Sequence, residues 1–433
     1  MNIKNLKFNV ISLGCRANIF ESNQIIQIGK QNGCVYTENQ NGANTVIINT
    51  CCVTNRAMSK SKYMVNKVSK LQNVKHIVIC GCFSQINQKF IENDKIRLII
   101  GTKYKTQIFD LLKTYKNKLI TKVEDIKKEK EFEFCNNSEV CETTRGYLKI
   151  QDGCNHNCSY CIIPVARGRQ RSLDPTIIVK DIKKMVKNSI KEIVLTGVNT
   201  SGYNYEGVSF YDLLKMVDAI KGNFRIRISS LEPFQLNDKI INLLTKNKER
   251  FCQAFHICIQ SANNEVLKTM NRKYSVEQFV KLCEKIRANS PLASITTDFI
   301  VGFPSETTKQ FEDSASNLNK IKFANIHIFP FSLHNDTAAA KIKSVCDEKR
   351  KHSRYKTIEG FNNIYKKKYL KLFINKTVDV LFEHSKSTSI QSGKSQYFFD
   401  VFVLTKKNLQ GQMLKVKITK LDENKLFGKI IQK

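Results

Sequence analysis

The sequence has no tryptophan, and it is short of acid: 38 Asp+Glu stand against 71 Lys+Arg, a formal net charge of +33. No apolar run approaches the ~20 residues that a membrane-spanning helix needs, so no membrane association is expected. The amino terminus, Met1-Asn2-Ile3-Lys4-Asn5-Leu6-Lys7, runs straight into a strand-like stretch. It lacks a long apolar region ending in a small-residue cleavage site, which argues against a secretory leader and for a cytoplasmic protein. Solenoid repeats and low-complexity tracts are also missing, which excludes a repeat array.

What is there suffices for folded domains. The 433 residues are 41% hydrophobic, which supports real cores, excludes wholesale disorder and suggests two or three domains. Fifteen cysteines in a long chain without export read as metal ligands or reactive thiols before disulfides. Of the basic residues 57 are Lys and 14 are Arg, and Asn and Ile are abundant too. Part of the excess therefore fits a codon bias that adds solvated lysines. The stronger reading is an anionic partner, most of all nucleic acid, because the excess is large and spread along the chain. Residues 1–125 hold 19 basic and 7 acidic residues, 126–372 hold 41 and 26, and 373–433 hold 11 and 5.

Pattern divides the chain into an N-terminal domain (1–125), a linker (126–143), a core (144–372) and a small C-terminal domain (373–433). In the first, strand candidates Lys7–Leu13, Thr45–Asn49, His76–Cys80 and Arg97–Ile100 alternate with helical stretches Phe20–Asn32 and Met58–Leu71, which predicts a parallel α/β sheet. Residues 126–143 are polar and aperiodic. The core repeats the alternation six times, with strands Gly146–Gln151, Glu192–Thr196, Arg225–Ser229, Ala254–Ile259, Ser294–Val301 and Ile326–Phe331. Six βα units predict a (βα)6 part-barrel with its active site at the carboxyl ends of the strands. The tail holds the strands Lys376–Glu383, Tyr397–Leu404, Met413–Thr419 and Lys425–Ile431, which predict a small β-barrel.

Two constellations of cysteine carry chemistry. Cys154-Asn155-His156-Asn157-Cys158-Ser159-Tyr160-Cys161 places three thiols within eight residues, directly after a predicted strand. Structural zinc takes four protein ligands, and only His156 offers itself as a local fourth. A [4Fe–4S] cluster can be held by three thiolates, leaving one iron open to a substrate or cofactor. The second constellation is dispersed: Cys15, Cys51 and Cys82 each follow a predicted strand, and parallel strands bring their carboxyl ends to one edge, where ligands bind. Cys52 and Cys80 compete with them. Cys34, Cys135, Cys141, Cys252, Cys258, Cys283 and Cys346 show no ligand spacing and read as core or chance linker thiols.

At the compact motif the sequence resembles the radical S-adenosylmethionine superfamily. The longer match Gly153-Cys154…Cys161-Ile162-Ile163-Pro164…Arg167-Gly168-Arg169 resembles its methylthiotransferases. The likeness implies that Cys154, Cys158 and Cys161 hold the catalytic cluster that cleaves S-adenosylmethionine, with Tyr160 near the adenine. Gly14-Cys15-Arg16-Ala17-Asn18, Asn49-Thr50-Cys51-Cys52-Val53-Thr54-Asn55-Arg56 and Gly81-Cys82 resemble the family's N-terminal motifs. They imply that Cys15, Cys51 and Cys82 hold a second [4Fe–4S] cluster, leaving Cys52 and Cys80 spare. Cofactor contacts implied along the core are Gly197 and Asn199 in Leu195-Thr196-Gly197-Val198-Asn199, Ser229, Gln260 in His256-Ile257-Cys258-Ile259-Gln260-Ser261, and Gly302. Cys258 stands where the family has proline, and His334 and Asp336 stand where it usually has arginine and glycine. The tail resembles the RNA-binding TRAM domain, through Gly411–Thr419 and Leu426-Phe427-Gly428.

The resemblance implies a tRNA methylthiotransferase with two [4Fe–4S] clusters and S-adenosylmethionine as cofactors. A 5′-deoxyadenosyl radical would remove hydrogen from C2 of an adenine, sulfur would be inserted, and a second S-adenosylmethionine would methylate it. The partners implied are the anticodon loop of tRNA and an electron donor such as a flavodoxin or ferredoxin. Asn55-Arg56, Ser159–Arg169, Val198–Tyr203 and Arg272-Lys273-Tyr274 look most like the branch acting on N6-threonylcarbamoyladenosine at position 37. The alternatives are the branch acting on isopentenyladenosine, a branch acting on a ribosomal-protein aspartate, and a non-catalytic iron–sulfur RNA-binding protein.

Overall fold

The computed structural model describes residues 3–4, 6–88, 93–135, 144–384 and 389–431. Its first sheet is wholly parallel, in the order β2-β1-β3-β4-β5-β6, with β1 Lys7–Ser12, β2 Val35–Tyr36, β3 Thr45–Thr50, β4 His76–Gly81, β5 Ile96–Ile100 and β6 Ile120–Lys122. Side chains alternate across a strand, and both faces here are apolar. Ile47, Val78 and Leu98 pack on one face with Phe8, Ile25 and Phe109, and Val46, Ile48, Ile77 and Ile79 pack on the other with Val65 and Val68. Phe8 is on β1 itself; Ile25 comes from α1 (Arg16–Gln31) and Phe109 from α4 (Ile108–Lys113) on the first face, and Val65 and Val68 from α2 (Asn55–Ser69) on the second, with the short α3 (Cys82–Ile86) following β4. The edge strands β2 and β6, of two and three residues, are too short to show a period in sequence.

The core wall runs β7 (Gly146–Lys149), β10 (Glu192–Thr196), β13 (Arg225–Ile228), then β14 (Ser230–Leu231), β15 (Ala254–Ile257), β16 (Ser294–Val301) and β17 (Asn325–Pro330), all parallel. Only Ser229 separates β13 from β14, so the two sheets form one curved six-stranded part-barrel. An antiparallel pair, β8 (Gln151–Asp152) and β9 (Arg171–Ser172), brackets the cysteine loop and α5 (Ile163–Arg167). A second small pair, β11 (Asn204–Tyr205) and β12 (Val208–Ser209), precedes α7 (Phe210–Asp218). The outer helices are α6 (Pro175–Lys187), α7, α8 (Asp238–Lys246), α9 (Asn264–Thr269), α10 (Val276–Asn289), α11 (Thr308–Ile321) and α12 (Glu348–Lys371). Helix α12 has a sparse buried stripe, Arg354, Ile358, Tyr365 and Leu370, which hides its amphipathicity from the sequence.

The segment expected as a linker is not loose where it is described. Ile126 is buried, Phe132 and Phe134 pack on the barrel core, and Phe134 stacks on Phe20 of α1. Residues 136–143 of that expectation, Cys141 included, lie outside the described residues.

The tail is a closed five-stranded barrel, β18 (Thr377–Phe382), β19 (Ile390–Ser395), β20 (Asp400–Leu404), β21 (Met413–Asp422) and β22 (Lys425–Ile430). Strand β19, Ile390-Gln391-Ser392-Gly393-Lys394-Ser395, has one aliphatic residue and carries no strand signal in sequence. The barrel docks through buried charge. Glu192 accepts from Arg225 Nε and Arg227 Nε at 2.7 Å each, and the guanidiniums donate onward to the carbonyls of Asp379 (3.0 Å), Lys394 (2.8 Å) and Ser395 (3.0 Å). Such burial is tolerated because each charge is paired and hydrogen-bonded. The β19–β20 turn sets the Phe398 ring among Arg227, Arg16 and Lys394, at 4.6, 5.2 and 5.0 Å.

Two cysteine triplets at facing strand ends

Strands β1, β3 and β4 are neighbours in the first sheet, so their carboxyl ends deliver Cys15, Cys51 and Cys82 side by side. Cys15 caps α1 and Cys82 opens α3. Gly14 has φ +93°, and a Cβ there would lie 2.5 Å from Cys51 Sγ, so glycine leaves room for that sulfur. Ser61 Oγ holds the Cys51 backbone, accepting from its N–H at 3.2 Å and donating to its carbonyl at 3.0 Å. The three thiols lie close enough that ionising one disfavours the next. Burial pushes Cys51 up to about 11. Cys82 is instead lowered to about 6, because Cys52 donates a hydrogen bond to it and the Arg167 guanidinium stands beside it, with Nε 3.2 Å from Sγ. Cys52, as that donor, holds its proton well above the usual thiol range. Burial holds Cys80 at about 12, inside the sheet core.

Arg167 is 1% exposed and joins this triplet to the part-barrel. Nη1 donates to Glu21 (2.8 Å) and Asp152 (2.9 Å), and Nη2 donates to Asn18 Oδ1 at 2.7 Å. Lys149 pairs with Glu21 (2.7 Å) and Asp152 (2.8 Å), and Lys105 also pairs with Glu21. Burial alone would raise both carboxyls. Arg167 and Lys149, joined by Lys105 at Glu21 and by Arg171 at Asp152, outweigh it and hold both carboxyls well below the usual carboxylate range.

The second triplet sits in the loop between β8 and α5. Gly153 has φ +65°, and a Cβ there would meet the Arg169 carbonyl at 2.0 Å. The loop is pinned by Cys154 N–H to Gly168 O (3.1 Å), Ser159 N–H to Met270 O (3.1 Å) and Cys161 N–H to Cys158 O (3.0 Å). All three thiols are half-buried. Burial pushes Cys154 to about 11 and Cys161 to about 12. Cys158 Sγ accepts from Arg272 Nη1 at 3.2 Å, and Arg272 also pairs with Glu232 and donates to the Tyr274 hydroxyl at 3.1 Å.

Neither triplet has the spacing of a single ion. Tetrahedral zinc at ~2.3 Å from each sulfur sets the sulfurs ~3.8 Å apart. Among the described residues neither triplet brings its three sulfurs within 4.8 Å of one another. His156 is turned elsewhere: its Nε2 accepts from Asn199 Nδ2 at 3.0 Å, and its ring meets Phe234 edge-on. The donor sets suit a larger group with three thiolate corners.

The six expected cofactor contacts are spread along the strand ends. Tyr160 packs with Ile300 and Phe303, which lie on either side of Gly302 in the chain. Gln260 has φ +64° and pairs by backbone with Asp298 and Ile300, and Gly302 N–H donates to Glu306 at 3.0 Å. Gly197 abuts Gln151, whose Oε1 also accepts the Asn199 N–H at 2.7 Å. Ser229 is buried and its hydroxyl accepts from Arg16 Nη1 at 3.3 Å, one residue beyond Cys15.

The surroundings of the two triplets pack together. Ile162, next to Cys161, and Ala166 of α5 pack with Cys52, Cys82 and Phe83. The loop after β17 meets the loop after β3: Asn55 N–H donates to Ser332 Oγ at 2.7 Å, and His334 Nε2 donates to the Val53 carbonyl at 3.2 Å. His334, one of the departures noted in the sequence, thus fastens the Cys51 loop, and Asp336 is exposed. In the sequence Arg167, Glu232 and Arg272 stand in motifs without a role, and Glu21, Lys105, Lys149 and Asp152 carry no mark of a site. The one signal for this network is the position of Arg167, six residues after Cys161.

Residues 148–318 match the family described as "Radical SAM superfamily", and residues 7–101 match "Uncharacterized protein family UPF0004". The chain is 32% identical over 419 residues to the threonylcarbamoyladenosine tRNA methylthiotransferase MtaB of Bacillus subtilis, covering 94% of this chain and 93% of that one. It is 31% identical over 439 residues to the tRNA-2-methylthio-N(6)-dimethylallyladenosine synthase of Endomicrobium trichonymphae, covering 98% and 100%. Among solved structures, the radical S-adenosylmethionine methyltransferase TsrM of Kitasatospora setae shares the fold, with a TM-score of 0.54 at 12% identity over 78% of this chain and 77% of that one.

Proposed function

The chain belongs to the radical S-adenosylmethionine methylthiotransferases, and from that premise we propose that this enzyme converts N6-threonylcarbamoyladenosine at position 37 of tRNA to its 2-methylthio derivative. One observation carries the reading: two three-thiol sets stand at the carboxyl ends of two parallel sheets and converge on one boundary. We assign a [4Fe–4S] cluster to each set. Bound there, they would supply an electron for cleaving S-adenosylmethionine and a sulfur for transfer.

The chain's own residues prepare the two sites. Arg167 offsets the charge of thiolates at Cys15, Cys51 and Cys82, and Arg272 does the same for Cys158. Tyr160, with Ile300 and Phe303, builds an apolar wall suited to an adenine face. Asn199, Gln260 and Gly302 lie at strand ends, where a nucleoside or amino acid group can be held.

A lysine face on the small barrel supports an RNA partner. Lys417 on β21 lies directly opposite Lys429 on β22, with Lys415 two residues away on the same side, all exposed. Like charges facing across strands destabilise a sheet, and a phosphate backbone relieves that repulsion. We read this barrel as the TRAM domain, the tRNA anticodon loop as the partner, a flavodoxin or ferredoxin as the electron donor and the cytoplasm as the location. Among the described residues no helix is long and apolar enough to cross a membrane. The Endomicrobium relative, 31% identical, supports isopentenyladenosine as the second reading. Mass spectrometry of tRNA nucleosides from a deletion strain tests both. Loss of the 2-methylthio-threonylcarbamoyl nucleoside is expected, and loss of the 2-methylthio-isopentenyl nucleoside in its place overturns the assignment.

A further inference from the structure

His256 and Cys258 are two residues apart at the end of β15, so their side chains share a face. His256 pairs in register with Thr296 on β16, which puts Asp298 level with Cys258 on that face. The side chains converge: His256 Nε2 is 3.3 Å from Asp298 Oδ1 and 3.6 Å from Cys258 Sγ, and Cys258 Sγ is 3.7 Å from Asp298 Oδ2. Among the described residues this is the one group of three or more His, Cys, Asp or Glu whose ligand atoms all lie within 4.8 Å of one another.

The arrangement is convergent and not a relay. A nucleophile–base–orienter chain uses the two imidazole nitrogens for different partners. Here thiol and carboxylate both face Nε2, and Nδ1 is taken by Thr296 Oγ1 at 3.0 Å. That bond fixes the ring and leaves Nε2 free to ligate, as the outer partner of a metal-bound histidine does. Two separations also match. Tetrahedral zinc, with nitrogen and oxygen at ~2.0–2.1 Å and sulfur at ~2.3 Å, has edges of ~3.3 Å for N–O and ~3.6 Å for S–N. The sulfur faces the other carboxylate oxygen, and with one ligand atom taken from each residue the three all lie within 4.8 Å of one another.

We propose that His256, Cys258 and Asp298 form a mononuclear site for a zinc-class divalent cation, separate from both cysteine triplets. A thiolate, an imidazole and a carboxylate together suit zinc over magnesium or calcium. The fourth position falls to water or an anionic oxygen donor. The site adjoins the second triplet through Arg272, which donates to the Cys258 carbonyl at 3.3 Å and to Cys158 Sγ. His256 and Asp298 keep partial exposure, at 22% and 28%, so an ion has a way in.

The test uses the full-length protein, reconstituted anaerobically, with its iron counted before and after exposure to zinc chloride and desalting. Wild type is expected to keep one zinc per chain beside undiminished iron. Cys258→Ala and Asp298→Asn are expected to bind zinc about tenfold or more weakly with iron unchanged. The zinc-edge absorption spectrum of wild type, which needs no variant, is expected to show one sulfur with nitrogen and oxygen neighbours. No zinc retained by wild type, equal retention by both variants, displacement of iron, or a shell of several sulfurs each overturns the proposal.

Discussion

Cys15, Cys51 and Cys82 lie 36 and 31 residues apart, whereas Cys154, Cys158 and Cys161 fall within eight. The first set is assembled by topology: three neighbouring parallel strands must form before the thiols meet. The second is assembled by one loop held between β8 and α5. Their surroundings differ as well. Arg167, beside the first, is locked among Glu21, Asp152 and Asn18. Arg272, beside the second, has the single carboxylate partner Glu232 among the described residues, and the nearby thiols are half-buried. A site built from distant strands takes its rigidity from a buried ionic network, while a loop site that must admit a cofactor stays more open.

The largest effect should come from removing a ligand on either side. Cys154→Ala is expected to lose about four of about eight irons and all cleavage of S-adenosylmethionine. Cys82→Ala is expected to lose a similar share of iron and all methylthiolation, yet still cleave S-adenosylmethionine. Iron analysis and a cleavage assay on the reconstituted proteins separate the two. If Cys82→Ala keeps its iron and its methylthiolation, the division into two sites fails.

Next in size is the network. Arg167→Met leaves Glu21 and Asp152 with Lys149 as their remaining shared cation, and breaking a buried pair this way costs about 3–5 kcal/mol. Arg272→Met, which uncovers one carboxylate, should lower the unfolding midpoint less. Equal losses in thermal unfolding would erase the contrast between the two surroundings.

The sequence discloses these two halves unequally. The compact motif is legible because its ligands are neighbours in the chain. The dispersed set is legible only because each thiol follows an apolar run that reads as a buried strand. Arg167 and Glu21 are 146 residues apart, and nothing local marks either as a partner. Strand β19 and helix α12 are hidden because their apolar residues are too sparse to show a period. Cys258 reads as core in sequence because its partner Asp298 lies 40 residues away on the next strand.

Acid should act on the same contrast. The Asp152 carboxyl is held well below its ordinary value, so its ionised form contributes stability that is fully present above the unfolded pKa of ~3.9 and is lost as pH falls through the folded value. Asp152→Asn is therefore expected to destabilise most at neutral pH, with the difference from wild type shrinking below about pH 4. Denaturation midpoints measured from pH 7 downward check the sign. A constant difference across that range would mean that Asp152 acts by packing alone.

The smallest effects concern the thiols beside the first triplet, which look alike in sequence. Cys80 lies in the sheet core with no exposure, so Cys80→Ala should cost about 1 kcal/mol of buried contact and leave iron untouched. Cys52 donates to Cys82, so Cys52→Ala removes a hydrogen bond to a thiolate and also costs about 1 kcal/mol, but at the site itself. The two variants should match in unfolding midpoint and differ in how fast a chelator strips iron, with Cys52→Ala faster. If Cys80→Ala loses iron first, the fourth strand presents its ligand from inside the sheet and not from its end, and the topological account of the first triplet is wrong.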